Sequence, residues 1–356
     1  MSGINILLTF DYELPLGGIH GSFGESLFEP AGQVIHLAEE MGVSLNFFAD
    51  ILCYQKFNAL GRSDFAAPFA RQLQEALAKG HDVQLHLHPH WIDTRIEGDT
   101  FFPSANYGLH HFRNNPPPLN IQSIINQGVE GLKSLLAPVN HNYACIAYRG
   151  GGYVLQPATQ EILNALFAEG IRIDSTISNG YYFKSDRSFV DYTAIPNKAN
   201  WFLNMDGQLN KENNLIEGGG IFEIPIASKP KSLFELPTSL KLKFYGHRAP
   251  QARGIMVHEP PASLSLQERK KALLSARMLT FDNFTYSKNF PLKILRYHLK
   301  KFRNKEPIYL SVVSHPKAMG AYSLDLMKHF IEKVRNEYGQ EVSFKTFTQV
   351  KEDLNL

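Results

Sequence analysis

The chain has 356 residues, of which 44% are hydrophobic and 20% are charged, and its formal net charge is +2. This composition is typical of a globular protein, and the charge is too small to indicate binding to nucleic acid or to an anionic membrane surface. No run of about 18 apolar residues is present, so the sequence predicts no membrane span. The N-terminus lacks the features of a signal peptide, and we expect a cytoplasmic protein of undetermined oligomeric state.

The first part of the chain predicts strands that alternate with helices. The predicted elements are a strand at 4–10, a helix from Pro30 to Gly42, a strand at 43–49, a helix ending at Gly80, and a strand leading to His86. The apolar runs are short enough for buried strands, and the helices show apolar positions three and four residues apart. This alternation favours a parallel sheet or a barrel.

The alternation returns later in the chain. The predicted elements there are helices near 124–135, 157–168 and 324–338, and strands at 143–148, 171–174, 308–313 and 342–347. Between them, residues 178–305 show little periodicity apart from a strand-like run at 221–227 and a helix start at Ser265–Glu268. We therefore expect one domain over residues 1–356 with an irregular elaboration at about 178–305.

A long polar and proline-rich segment at 92–120 interrupts the pattern. Segments of this length in a compact domain are usually lids or binding loops. Its aromatic residues, among them Phe101, Tyr107 and Phe112, are equally consistent with stacking on a substrate and with packing on the rim of the domain.

Three histidines follow the third predicted strand at alternating positions, His86, His88 and His90. On an extended strand this alternation places the three imidazoles on one face. Imidazole is the commonest neutral ligand for a divalent transition metal, whereas a buried histidine without partners is costly. The segment therefore predicts a metal site at the end of this strand.

Ionisable residues also follow other predicted strands: Asp11 and Glu13, Arg149, Asp174, and His315. In parallel α/β folds, the carboxyl ends of the strands are where sites are assembled. A carboxylate with two histidines is typical of a hydrolytic metal site, most often zinc.

The order of these motifs resembles the polysaccharide deacetylase family (NodB homology, carbohydrate esterase family 4). The matching segments are Thr9-Phe10-Asp11, Leu45-Asn-Phe-Phe, His81-Asp-Val, His86 with His90, Arg149 with Tyr153, and His315. They cover about 4–187 and 306–350. The resemblance implies a distorted (β/α) barrel of seven or eight strands, with the elaboration as a large insertion.

The resemblance also implies roles for residues outside the metal site. Asp11 would be the catalytic base, held charged and oriented by Arg149, and His315 would be the general acid. The backbone N–H of Tyr153 would stabilise the oxyanion, although the segment Gly150–Gly152 makes the motif one residue longer than the family pattern. Gly151 is therefore an alternative donor.

For the metal, the resemblance implies His86 and His90 as ligands, with His88 as the alternative if the segment stays extended. Tyr12 stands where the family usually has a second aspartate, and Glu13, two residues after Asp11, would be the carboxylate ligand, as in some members of the family. We expect a divalent ion, with zinc favoured.

Two further expectations concern the surroundings of the site. The family has a later aspartate that tunes the catalytic histidine, and Asp174 is the nearest candidate by order. Tyr12 and Trp91 are expected to line the site as faces for sugar stacking, with core packing an equal alternative for Trp91.

Taken together, the sequence predicts a metal-dependent deacetylase that hydrolyses an N-acetyl or O-acyl group on an amino sugar or glycan. The alternatives are a hydrolase of another small amide or of a glycosidic bond, and an inactive carbohydrate-binding homologue. Because no secretion signal is visible, a biosynthetic intermediate is a better expected substrate than a finished polymer.

Overall fold

The computed structural model describes residues 3–213, 219–231, 263–303 and 307–356. The strands are β1 (Ile4–Tyr12), β2 (Asn46–Asp50), β3 (Asp82–Leu87), β4 (Arg95–Glu97), β5 (Thr100–Phe102), β6 (Ala147–Gly150), β7 (Ile173–Asp174), β8 (Tyr182–Lys184), β9 (Phe189–Asp191), β10 (Trp201–Phe202), β11 (Phe222–Glu223), β12 (Ser228–Lys229), β13 (Arg277–Met278), β14 (Ile308–Ser314) and β15 (Val342–Phe344). The helices are α1 (Glu29–Met41), α2 (Ile51–Ala59), α3 (Ser63–Ala78), α4 (Ile121–Leu136), α5 (Thr159–Ala168), α6 (Leu266–Leu274), α7 (Phe290–Phe302), α8 (Ala321–Tyr338) and α9 (Phe347–Leu354).

The main sheet runs in the order β10-β11-β7-β6-β3-β2-β1-β14, with β15 also paired to β1. All of its pairs are parallel except β10 with β11. Beyond β11, Ile226 forms parallel bridges both to Ser178 and to Ser311 of β14. This segment joins the two ends of the sheet, so the prediction of a distorted (β/α) barrel is confirmed.

The sheet is buried on both faces, as expected for parallel strands covered by helices. In β1, Leu8, Phe10 and Tyr12 belong to the large core between the barrel and its helices, whereas Leu7 belongs to a smaller core inside the barrel. That inner core also contains Phe347 of α9. Apolar side chains therefore fill one end of the barrel, and polar side chains occupy the other end.

The segment 178–305 contributes the small sheets β8-β9 and β12-β13 and also supplies β11 to the barrel. The strand predicted at 221–227 is shorter, because Pro225 lacks an amide N–H for a continuous ladder. The predicted helix start is present, with Ser265 Oγ accepting a bond of 3.3 Å from the Glu268 N–H. Residues 214–218 and 232–262 of this segment lie outside the described chain, and its status as part of a single domain remains a prediction.

The segment 92–120 contains the hairpin β4-β5 and a 3-10 turn at Leu109–Phe112. It is fastened to the loop after β1, where the Ile19 N–H donates to the Asp99 carbonyl at 3.0 Å. Phe101 and Phe112 are buried. The rings of Phe101 and Phe112 therefore pack on the rim of the domain and are not free to stack on a substrate.

Within the described residues, no helix is both long enough and apolar enough to cross a membrane.

Candidate metal centre

Glu13, His86 and His88 form a buried cluster at the carboxyl end of the barrel. Each offers one ligand atom, and these atoms lie within 4.8 Å of one another. The Nε2 of His86 is 3.1 Å from Glu13 Oε2, and the Nε2 of His88 makes close contact with the same oxygen. Glu13 follows β1, and the two imidazoles extend from the end of β3 on the same side of that strand.

The protonation of His86 shows that this cluster suits a cation. Its Nδ1 lies 2.8 Å from the Arg149 carbonyl, which can only accept, so Nδ1 carries the proton. The neutral ring would then direct its Nε2 lone pair at a carboxylate oxygen, which is unfavourable unless a proton or a metal ion lies between them. Burial disfavours the charged ring, but Glu13 and the charge of Asp11 outweigh this and raise the pKa of His86. The same negative charge would attract a divalent ion, so the residues fit a metal.

His90, the expected partner of His86, does not belong to this cluster. Pro89 opens a 3-10 turn at Pro89–Ile92, so the chain leaves the extended strand before His90. The His90 ring stacks on Tyr107 at 5.2 Å, and neither ring nitrogen has a hydrogen-bond partner among the described residues. Burial lowers the pKa of His90 well below its usual value. The structure therefore groups the alternative, His88, with Glu13 and His86.

Asp11 lies beside the cluster and is held by a buried arginine. The Arg149 guanidinium donates to Asp11 Oδ1 at 2.6 Å and to the hydroxyl of Thr9 at 2.6 Å. Its other nitrogens donate to Ser175 and to the Ser311 hydroxyl at 2.9–3.0 Å. Because these acceptors lie on β1, on β14 and in the turn after β7, Arg149 is fixed across the barrel and holds Asp11 Oδ1, whereas Oδ2 faces the site.

His315 lies across from Asp11, at the end of β14. Its Nε2 is 3.6 Å from Asp11 Oδ2 and 3.7 Å from Glu13 Oε1. Its Nδ1 donates to Asp282 Oδ2 at 2.8 Å, and its backbone N–H donates to Asp282 Oδ1 at 2.8 Å. Burial disfavours the imidazolium, but the carboxylate of Asp282 and those of Asp11 and Glu13 outweigh this and raise the pKa of His315 to about 9.

Asp282 is a functional candidate that the sequence analysis did not identify. It is the partner of His315, so the expectation that Asp174 has this position is wrong. Asp174 instead accepts from Thr176, with Oδ1 2.7 Å from the Thr176 hydroxyl. A signal was available: Leu279-Thr-Phe-Asp282 repeats Leu8-Thr-Phe-Asp11. The second copy lies beside β14, where the Val313 N–H donates to the Leu279 carbonyl at 3.0 Å.

Lys317 is the second missed candidate. Its Nζ donates to Glu13 Oε1 at 2.8 Å and to the Leu14 carbonyl at 3.1 Å. Burial alone would raise the pKa of Glu13, but Lys317 and the two cluster histidines outweigh burial and hold it well below its usual value. Glu13 is therefore a carboxylate at neutral pH, as a metal ligand must be.

The turn after β6 brings Gly151 against the metal cluster. A Cβ at this position would lie 2.5 Å from the Leu87 carbonyl oxygen and 2.8 Å from His88 Nδ1, so only glycine fits. Tyr153 has a positive φ of 62°, and its carbonyl accepts a bond of 2.7 Å from Tyr192. Burial and the nearby Asp11 charge raise the pKa of the Tyr153 hydroxyl. The role of the backbone N–H groups of this turn in stabilising an oxyanion stays a prediction.

Tyr12 and Trp91 are not available for sugar stacking. That expectation is wrong for Tyr12, whereas for Trp91 the structure shows the alternative, core packing. Tyr12 is fully buried, and its hydroxyl donates to Gln72 Oε1 at 2.5 Å. Trp91 is 1% exposed and donates from Nε1 to Asp50 Oδ2 at 2.7 Å. Tyr12 points to the outer face of β1 because it alternates with Asp11 and Glu13.

No protein-family model and no curated protein matches the chain. Solved structures do resemble it. A provisionally assigned polysaccharide deacetylase from Mycobacterium smegmatis has a TM-score of 0.50 and 12% identity, over 99% of this chain and 91% of that one. A provisionally assigned polysaccharide deacetylase from Pseudomonas aeruginosa PAO1 has a TM-score of 0.46 and 10% identity, over 98% and 90%. Puue allantoinase has a TM-score of 0.47 and 11% identity, over 98% and 89%.

The comparison rests on the Mycobacterium smegmatis structure, which has the TM-score of 0.50. At 12% identity it shows similarity of fold alone. The resemblance to polysaccharide deacetylases that the motifs indicate is therefore confirmed as a likeness of fold. The chemistry of the site has to be argued from its own residues.

Proposed function

We propose that this protein is a metal-dependent deacetylase that hydrolyses an N-acetyl or O-acyl group on an amino sugar or glycan intermediate. The observation that supports this most directly is the opposition of Asp11 and His315 beside the Glu13, His86 and His88 cluster. One is an oriented carboxylate and the other an oriented imidazole, and they face each other at 3.6 Å.

Glu13, His86 and His88 would hold the ion. A divalent metal, with zinc favoured, would supply Lewis-acid polarisation of the substrate carbonyl and acidify a water molecule. His90 is not needed in this set, because its ring stacks on Tyr107 instead.

Asp11 is the general base in this proposal. Arg149 occupies Oδ1, so Oδ2 is the atom that can take a proton from the attacking water. Because Arg149 is fully buried and donates to Oδ1 at 2.6 Å, it holds the Asp11 carboxyl in one orientation.

His315 is the general acid. With a pKa of about 9 it carries a proton at neutral pH, and Nε2 is the atom directed into the site. Asp282 fixes Nδ1, so the proton on Nε2 is the one delivered to the departing amine nitrogen or alkoxide oxygen. Backbone N–H groups at Gly151 or Tyr153 would stabilise the oxyanion.

A direct test is the release of acetate from N-acetylated sugars by the purified protein loaded with Zn²⁺. Monomers and short oligomers of N-acetylglucosamine belong in the panel together with small cyclic and linear amides and a glycoside. Acetate release from the sugars supports the proposal. Hydrolysis of the amides alone, or of the glycosidic bond, would contradict it and support the alternative hydrolases.

Metal analysis separates these enzymes from an inactive carbohydrate-binding homologue. We expect about one equivalent of metal per chain after reconstitution, since the cluster offers one set of three ligands. Sugar binding without metal binding or turnover would instead indicate the inactive homologue.

A further inference from the structure

We propose that Lys317 is a positioning residue that holds Glu13 as a one-oxygen metal ligand. This inference rests on the proposed function, because it requires that the Glu13, His86 and His88 cluster binds a metal. Nothing in the pattern of family motifs points to this lysine.

The two oxygens of Glu13 have different neighbours. Oε2 faces the Nε2 atoms of both His86 and His88. Oε1 accepts the bond of 2.8 Å from Lys317 and lies 3.7 Å from His315. Lys317 contacts Oε1, so it does not block the position between Oε2 and the two imidazoles where an ion would bind.

The position of the ammonium group is itself fixed. Lys317 belongs to the 3-10 turn Pro316–Ala318, which is closed by the Ala318 N–H donating to the His315 carbonyl at 2.8 Å. The Asn283 N–H donates to the Ala318 carbonyl at 3.0 Å and ties the turn to the Asp282 segment. The ammonium also donates to the Leu14 carbonyl at 3.1 Å, so it has two acceptors next to each other in the chain.

A carboxylate needs such a partner if only one oxygen is to face the metal. The terminal torsion of glutamate is broad and roughly two-fold, so an unrestrained group can turn and present either oxygen or both. Lys317 restrains this rotation by holding Oε1. Its side chain is 19% exposed, whereas that of Glu13 is 8% exposed, so the lysine lies on the solvent side of the carboxylate.

The sign of the effect on metal affinity distinguishes positioning from charge. At a pH where Glu13 is ionised with and without the lysine, a lysine that acted through its charge alone would repel a divalent ion, and its removal would tighten metal binding. A lysine that holds a ligand in place has the opposite effect. Removing a residue that orients a metal ligand typically weakens metal affinity by about 10–100-fold.

The experiment measures the dissociation constants of Zn²⁺ and Co²⁺ by competition with a chromophoric chelator, using the full chain. We expect Lys317→Met to weaken both by about 10–100-fold, and Lys317→Arg to restore most of the loss. Lys328→Met, on the exposed side of α8, is the matched control and should leave both constants unchanged.

Unchanged or tighter metal binding in Lys317→Met would overturn the inference. If that variant does not fold, as judged by its unfolding transition without metal, Lys317→Ala, which also lacks a donor, serves in its place, with the same expectation and the same contrary result. A wild-type chain that binds neither ion would contradict the metal site itself, which is a different failure.

Discussion

At the scale of single residues, the site is defined by what holds the far end of each reacting group. Arg149 fixes Asp11, Asp282 fixes His315, and the Arg149 carbonyl sets the tautomer of His86. The atom of each group that has a role in the proposed reaction is thereby left pointing into the site. Arrangements of this kind lower the cost of organising the groups when the substrate is bound.

The substitution Asp11→Asn tests the base. It keeps the shape of the side chain and its hydrogen bond to Arg149, but it removes the proton acceptor. We expect turnover to fall by about 10²–10⁴-fold, while the metal content stays at that of the wild-type chain. Acetate release and metal analysis on the same samples measure both. Full activity in this variant would contradict the role of Asp11.

The substitution Asp282→Asn tests the acid through its pKa. Asp282 is the strongest of the influences that raise the pKa of His315 to about 9, so its neutralisation should move that pKa down toward the ordinary histidine value of about 6.5. NMR titration of the His315 ring in metal-free protein measures the shift, and His36, exposed on α1, is a built-in reference. An unmoved His315 titration would show that Asp282 does not act on it.

At the scale of elements, the site consists of strand ends and the short turns that follow them. The turn Gly151–Tyr153 after β6 packs against the end of β3, at the Leu87 carbonyl and the His88 ring. The apolar runs of the sequence predict the strands. Because the strands are parallel, they also predict that Asp11, His86, Arg149 and His315 lie close together. These residues do meet in the structure.

The conformations of the turns cannot be predicted from the sequence in the same way. Both His88 and His90 fit the alternating pattern, but only His88 reaches Glu13. The 3-10 turn that begins at Pro89 takes His90 out of the strand, and its ring packs against Tyr107 instead. Asp282 and Lys317 lay in segments without periodicity or outside the motif. Their partners are set by tertiary contacts between distant segments, which local pattern does not encode; the repeated Leu-Thr-Phe-Asp marks Asp282 but not its contact with His315.

The substitution Gly151→Ala tests the packing of the turn on β3. The added Cβ would collide with the Leu87 carbonyl, so the turn or the His88 segment must move. We expect a loss of about 1–3 kcal/mol in stability, from denaturant unfolding, and weaker metal binding. Gly32→Ala is the control, because Gly32 lies within α1 without a positive φ and its added Cβ would meet only Gln72 Nε2, at an ordinary 3.6 Å. Equal effects of the two substitutions would refute the steric argument.

The substitution Glu223→Gln tests the pairing of β7 with β11. Burial and the neighbouring carboxyl of Asp174 raise the pKa of Glu223 well above its usual value. The folded chain therefore keeps a proton that the unfolded chain releases above about pH 4.3, and stability is lost as the pH rises from there toward the raised pKa. The glutamine variant avoids this loss. Its unfolding midpoint should exceed that of the wild type at pH 8 and match it near pH 4, whereas an exposed control, Glu332→Gln, should show no such divergence.

At the scale of the whole molecule, metal binding should stabilise the fold. A ligand that binds only the folded state at 100 times its dissociation constant adds about 2.7 kcal/mol. We expect Zn²⁺ to raise the thermal midpoint of chelator-treated protein, and His88→Asn to abolish that rise. His90→Asn should preserve the rise, since His90 lies outside the cluster. The reverse pattern would restore His90 as the ligand.

The bond between Lys317 and Glu13 joins residues 304 positions apart in the chain, and β1 pairs with β14 directly. During synthesis, the first carboxylates leave the ribosome long before the strand that supplies their acid and their lysine. A nascent chain that stops short of β14 holds Asp11 and the histidines but cannot assemble the opposing half of the site. Under the proposed function, hydrolytic capacity would arise only late in translation, and a chain truncated before β14 would lack it although it keeps Glu13, His86 and His88.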